Sequence, residues 1–257
     1  MRYGMCVQNQ QLELIGKLAE MGYDYIECRF NLFASDNGEK VKELMRETEK
    51  SNIKCEAVNC FIPGDFRLTG DSVDEKALRE YIERGMSGAA KAGCQTVVFG
   101  SGSARSIPQG FDRERGMAQI EHFLRDIVAP VAEKYKITVV TEPLRCAETN
   151  SVNTVREAVK LAERVNHPCI SSLADLYHMY GEGETPESLC SFDGKIKHSH
   201  IAEVTTRAYP CEGDGYDYSR FVSALEKCGC ERCSVEGRTE DFLSDSRKAI
   251  ELLKKIK

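Results

Sequence analysis

The chain has 257 residues, 41% of them hydrophobic and 30% charged, with a formal net charge of −6. That is an ordinary globular composition, and with no basic cluster it argues against a nucleic-acid partner, since a polyanion needs a positive surface. No run approaches the ~20 consecutive apolar residues of a membrane span, so no membrane partner is expected. The opening stretch MRYGMCVQNQQLELIGKL lacks an apolar core followed by a small-residue cleavage site, which places the expected location in the cytoplasm.

Strand-like and helix-like runs alternate from end to end. The predicted strands are Tyr3–Val7, Tyr25–Phe30, Lys54–Asn59, Thr96–Gly100, Ile137–Glu142, Ile170–Asp175, Lys195–His200 and Cys233–Glu236. They are short and mostly apolar, as parallel strands buried on both faces should be. Between them lie stripes at helical spacing: Leu12, Ile15, Leu18 and Ala19; Val41, Leu44 and Met45; Ile120, Phe123, Leu124 and Ile127; Val155, Ala158, Val159 and Ala162. Glu75–Ala92, Tyr218–Lys227 and Phe242–Ile256 supply further helices, and Pro186–Phe192 a short one that Thr185 should cap. Gly22, Gly93 and Gly229 stand where helices must end and turn back into strands. Eight such units without a linker or repeat imply an α/β fold, a single (β/α)8 TIM barrel over residues 1–257, which takes about 250 residues. A doubly wound open sheet is the structural alternative. The first strand runs into MCVQNQ rather than GxGxxG, which removes support for a dinucleotide fold.

Twelve cysteines are many for this length. Cys6, Cys28, Cys55 and Cys94 fall in or beside predicted strands, where Cys serves as a small buried hydrophobe. Cys228, Cys230 and Cys233 cluster, but no second pair completes a zinc knuckle, so they read as structural thiols.

In such a barrel, chemistry sits at the C-terminal ends of the strands. The last four predicted strands each carry a metal-capable residue there: Glu142 in VVTEP, Asp175 in SSLADLYH, His200 in IKHSHIAE and Glu236 in CSVEGR. Successive members are 33, 25 and 36 residues apart, each roughly one βα unit of about 30 residues. Singly, Asp175 could cap the next helix and Glu236 could pair with Arg238. Together, at matching ends of neighbouring strands, the four converge on one point. Three carboxylates and an imidazole suit Mn²⁺, Mg²⁺ or Co²⁺, and also Zn²⁺, for which thiolates would be a stronger signature.

With these motifs the chain resembles the xylose isomerase-like barrel superfamily, and within it the D-tagatose/D-psicose 3-epimerase and hydroxypyruvate isomerase group. The resemblance spans the whole chain and is carried by TEP, ADLYHM, HSHIAE and VEGR. It implies one divalent metal, commonly Mn²⁺, on Glu142, Asp175, His200 and Glu236, with Glu142 and Glu236 exchanging a substrate proton from opposite sides of a metal-held cis-enediolate. It further implies a sugar substrate contacted by Glu148, His178 and Arg207, the last at a spacing one residue longer than the epimerase pattern. Members are often dimers or tetramers, so a homo-oligomer is compatible with the resemblance. Dehydration of an inosose and cleavage of a C-glycoside use a similar metal site and are the alternatives. A non-catalytic sugar-binding barrel fits less well, because binding alone does not need two proton-transferring carboxylates. An endonuclease IV-like nuclease would need histidines after the second, third and fourth strands, where the chain reads ECRFN, EAVNC and VVFGS. The segment Gly100–Arg105 reads as a plain βα turn, with phosphate binding as the other option. Tyr209–Gly215 resembles the Gly-rich loop ahead of the seventh helix.

Overall fold

The computed structural model describes residues 1–35 and 37–256. Eight parallel strands pair in sequence order: β1 (Arg2–Cys6), β2 (Tyr25–Arg29), β3 (Lys54–Asn59), β4 (Thr96–Phe99), β5 (Thr138–Thr141), β6 (Ile170–Asp175), β7 (Ile196–Ile201) and β8 (Arg232–Val235). β8 returns to β1, with Met5 opposite Val235, and closes the barrel. The expected (β/α)8 architecture is therefore present. The helices are α1 (Ile15–Met21), α2 (Asn31–Ala34), α3 (Gly38–Ser51), α4 (Glu75–Lys91), α5 (Gly102–Arg105), α6 (Arg113–His122), α7 (Ala129–Tyr135), α8 (Val155–Val165), α9 (Leu176–Gly181), α10 (Tyr218–Lys227) and α11 (Phe242–Lys255). No described helix is long and apolar enough to cross a membrane.

Local rules explain most of this frame. Strand β4 is buried at every residue, and after Thr96 it reads as a continuous apolar run, Val97, Val98 and Phe99. Helix α8 begins with a capping box, Thr154 and Glu157 each satisfying the other's backbone N–H, and buries Val155, Ala158, Val159, Leu161 and Val165. Gly22, Gly93 and Gly229 have φ of 93°, 91° and 77°, the left-handed turn predicted for them. All twelve cysteines are free.

Three local expectations need correction. Residues Pro186–Ser191 form a 3₁₀ helix, and the Thr185 side chain does not cap it; the Thr185 carbonyl instead accepts from the Ser188 N–H and hydroxyl. Such a tight helix closes its first turn by i→i+3 backbone bonds. Gly100–Arg105 is not an open turn but runs into α5, and Arg105 is fully buried. Its guanidinium donates to the carbonyls of Glu142 at 2.8 Å, Val152 at 3.3 Å and Phe99 at 3.5 Å. It thus braces the end of β5 and does not face a phosphate. Between α6 and α7 the helix widens into a π turn over Phe123–Val128. Pro130 follows and has no N–H to return to the Asp126 carbonyl, which accepts from Arg79 instead, at 2.9 Å.

Inside the barrel, Val98, Val140 and Leu173 form a small apolar cluster. Across from it lies a buried polar layer of Tyr25, Glu27, His198 and Ser234. Gly4 on β1 makes room for it, because a Cβ there would meet the Tyr25 ring at 2.2 Å. Near the N-terminal ends of the strands, Glu56 accepts from Arg2 at 2.7 Å and Arg232 at 3.0 Å, tying β1, β3 and β8 together.

The chain leaving β7 turns sharply at Glu203. Its buried carboxylate accepts from the backbone and hydroxyls of Thr205 and Thr206. That turn delivers Arg207 in a left-handed conformation, φ 62°, above the end of β8. Burial pushes the Glu203 carboxyl up, but the Thr206 and Thr205 donors outweigh it and hold it at about 2. A carboxylate depressed in the folded state stabilises above its unfolded pKa and loses that contribution as pH falls through the folded value. Glu203→Gln is therefore expected to lower stability at pH 7 by about 1 kcal/mol. The difference from the parent chain should fade between pH 4.5 and about 2, as read from urea unfolding across that range.

Candidate metal centre

The four strand-end residues meet. Ligand atoms of Glu142, Asp175, His200 and Glu236 all lie within 4.8 Å of one another. Asp175 ends β6 and His200 lies in β7, facing each other in register, while Glu142 and Glu236 are the first residues past β5 and β8. The ladder continues through both: the Glu142 N–H donates to Phe99 O at 3.1 Å and the Glu236 N–H to Ile201 O at 3.2 Å. Gly100 is needed beside them, since a Cβ there would stand 2.3 Å from Glu142 Oε2.

His200 is the pivot. Its Nδ1 faces the carboxylates, 3.1 Å from Glu142, 3.5 Å from Glu236 and 3.8 Å from Asp175. Its Nε2 is 2.9 Å from Glu27, which also holds His198 Nε2 at 2.7 Å and accepts from Ser234 Oγ at 2.7 Å. Glu27, His198, His200 and Ser234 are all 0% exposed. A carboxylate bound to one ring nitrogen places the proton there and leaves the other nitrogen as the donor to a metal.

Sequence reasoning missed Glu27 and His198. The signal was present: Glu27 is a charge inside a strand expected to be buried on both faces, and charged residues are almost never fully buried unless paired. In HSH the two histidines, two apart on one strand, point the same way.

The donor set fits a divalent cation. Asp175 Oδ1 accepts from the His178 N–H at 2.9 Å, so the residue does cap α9. Its Oδ2, however, is buried without a hydrogen-bond partner, an arrangement that costs free energy unless something positive meets it. Among the protein groups alone, burial and then the neighbouring Glu236 hold Glu142 above the usual carboxylate range. Burial raises Asp175 to about 6, against the lowering influence of Arg207 and His200. Burial also raises Glu236, but His200 and Arg207 outweigh it and bring that residue to about 2. Despite burial, Glu27 and Glu236 keep His200 well above its ordinary value. A second triple, Cys6, Glu27 and His200, lies beneath. There burial keeps the thiol protonated and Glu27 is already engaged, so it does not match a thiolate site.

The residues expected to contact substrate gather at the same mouth. Arg207 donates to Glu236 Oε2 at 2.6 Å and lies 3.9 Å from Glu148. The expected alternative pairing of Glu236 with Arg238 is not made; Gly237 lets the Arg207 carbonyl approach, and the Arg238 N–H donates to it at 2.7 Å. His178 is fully buried, its Nδ1 accepting from the Arg145 N–H at 3.3 Å and lying 3.8 Å from Glu148. His178 Nε2 has no protein partner. Burial lowers its pKa, which favours the neutral ring.

Two substitutions should separate these parts. Glu27→Gln is expected to weaken Mn²⁺ binding about 10- to 100-fold, the usual effect of losing such a supporting hydrogen bond. His200→Ala should weaken it further, with less effect on folding than on binding. Calorimetric metal titration checks both, and an unchanged affinity in Glu27→Gln would contradict the orienting role.

Residues 15–256 match the family model described as xylose isomerase-like TIM barrel. The chain is 27% identical over 97% of its length, and 92% of the other, to an inosose isomerase of Bacillus subtilis (strain 168). In structure it is similar to a D-psicose 3-epimerase from Clostridium cellulolyticum H10, with a TM-score of 0.85, 18% identity and coverage of 100% and 99% of the two chains. It is also similar to the IOLI protein with a bound zinc atom, with a TM-score of 0.72, 22% identity and coverage of 100% and 96%. By sequence and by fold the chain belongs to the xylose isomerase-like TIM barrel family.

Proposed function

We propose that this protein is a divalent-metal-dependent sugar isomerase or epimerase, and within that class a ketose 3-epimerase. The observation that carries the reading is geometric: two strand-end carboxylates, Glu142 and Glu236, meet in one cluster with ligand atoms within 4.8 Å of one another, and Arg207 pairs with Glu236 at 2.6 Å but not with Glu142. Two titratable groups whose surroundings push them apart are what an acid–base pair requires. The relatives described as an inosose isomerase and a D-psicose 3-epimerase support the class.

Glu142, Asp175, His200 and Glu236 would hold the cation, and their mostly oxygen donor set favours Mn²⁺ over thiolate-seeking ions. A cation bound there polarises a ketose carbonyl and its neighbouring hydroxyl and acidifies the intervening C–H. Glu236, ionised at neutral pH, is suited to take that proton. Glu142 is suited to carry one and return it to the other face of the same carbon, which inverts the centre. Removal from C1 with return to C2 would instead interconvert ketose and aldose, so the reaction is fixed by where the sugar chain lies. His178, with its Nε2 unpartnered and its neutral form favoured by burial, would meet a substrate oxygen. Arg207 and Glu148, 3.9 Å apart at the same mouth, would bind hydroxyls, and Arg207 also favours the ionised form of Glu236.

A panel of ketoses incubated in D₂O tests the reading. Deuterium should enter at C3 together with the C3 epimer, stop on chelation with EDTA and return with Mn²⁺. Deuterium without an epimer, accompanied by loss of water or bond cleavage, would place the chain among dehydratases or lyases instead. Glu236→Gln and Glu142→Gln should each lower turnover by about 10²- to 10⁴-fold while the fold persists. Full activity in Glu236→Gln would overturn the acid–base assignment.

A further inference from the structure

Beside Glu236 opens a cavity of about 340 Å³, running from the end of β8 across the ends of β1, β2 and β3. Its polar lining includes Gln11, Arg29, Asn59, Arg238 and Thr239. Among the described residues Glu236 is the only acidic one that lines it, and it is already committed: Arg207 holds one oxygen at 2.6 Å and Asn59 Nδ2 approaches the other at 3.4 Å. The two remaining guanidiniums are not compensated. Among the described residues neither Arg29 nor Arg238 has a salt bridge, and neither side chain donates a hydrogen bond.

Both nevertheless spring from fixed backbone. Arg29 ends β2 in register with Asn59, and Arg238 bridges to Ala208. In a chain of net charge −6, two unpaired cations lining one recess, Arg29 half-buried and Arg238 exposed, together with the neutral donors Gln11 and Asn59, form a charge pattern complementary to an anion. Glu27 does not cancel them, because it is fully buried beneath His200 and occupied by His198, His200 and Ser234. The other arginines near the mouth are committed: Arg105 to backbone carbonyls, Arg145 to Glu148 at 3.2 Å and Arg207 to Glu236 at 2.6 Å.

We infer that the substrate is a keto-sugar bearing an anionic group, a carboxylate or a phosphate, remote from its reacting carbonyl and held between Arg29 and Arg238. This rests on the reading of Glu142 and Glu236 as the reacting end of the site. Planar guanidiniums grip carboxylate and phosphate oxygens alike, so the test must distinguish the two.

D-fructose, D-fructuronate and D-fructose 6-phosphate differ only at C6, and their binding to the Mn²⁺-supplemented protein can be compared by calorimetry. At least one anion is expected to bind roughly tenfold or more tightly than fructose, the better of the two identifying the group. The double substitution Arg29→Gln/Arg238→Gln should bring the ratio close to one, while Arg29→Lys/Arg238→Lys should keep part of it. Equal binding of all three sugars, binding of none, or an anion preference that survives the Gln/Gln variant would overturn the inference. Deuterium exchange on the same samples separates it from the reading beneath it. Tight anion binding without exchange would leave the anion site and remove the epimerase. Exchange with fructose as efficient as with either anion would do the reverse.

Discussion

The site depends on one buried hydrogen bond, from His200 Nε2 to Glu27 at 2.9 Å. It sets which imidazole nitrogen points upward, and with it the only nitrogen donor in a ring of carboxylates. Three acidic side chains with ligand atoms within 4.8 Å of one another repel and cost more free energy the deeper they are buried. Their arrangement is sustained from below by Glu27 and His198 and from the side by Arg207 and Arg105. Arg207 reaches over from the turn that Glu203 builds, and Arg105 holds the carbonyl of Glu142 from behind. The rest of the barrel fixes the backbone positions at which these braces act.

That bracing divides the carboxylates chemically. Glu236 has two positive neighbours, His200 and Arg207, and is held down. Glu142 shares His200 but has no salt bridge to Arg207; burial and Glu236 itself push it up. The difference follows from which loop carries the arginine. A chain with the same four strand-end residues but a loop after β7 that missed Glu236 would keep the cluster and lose the polarity. That asymmetry of pairing, with Arg207 on Glu236 and not on Glu142, is the feature on which the proposed proton-transfer function rests.

Much of this was legible in the sequence, because barrels turn chain order into spatial order. Consecutive strands are neighbours, so Glu142, Asp175, His200 and Glu236 could be placed on one rim from spacing alone. His178 and Arg207 came from the family resemblance that those motifs carry, Arg207 at a spacing one residue longer than the epimerase pattern. What the sequence hid are interactions across the barrel. Glu27 and His198 are 171 positions apart, and only closure of the barrel joins them. Gly100–Arg105 read as a plain βα turn, with phosphate binding as the other option, because the burial of Arg105 depends on carbonyls from β4, β5 and the loop that follows β5. Thr185 has a capping residue's identity, yet the helix after it winds too tightly to use the side chain. Pairing Glu236 with Arg238 was natural from adjacency, whereas the turn at Glu203 brings in Arg207 from 29 positions away.

The central claim is that His200 presents Nδ1 to a single cation while Glu27 keeps Nε2 protonated. The most direct measurement is the ¹⁵N spectrum of histidine-labelled protein during titration with diamagnetic Zn²⁺. The account predicts that one equivalent shifts the Nδ1 resonance of His200 and leaves its Nε2 as a protonated donor, with no further change at higher metal. A shift at Nε2 instead, or an unperturbed His200 with zinc bound elsewhere, would contradict it.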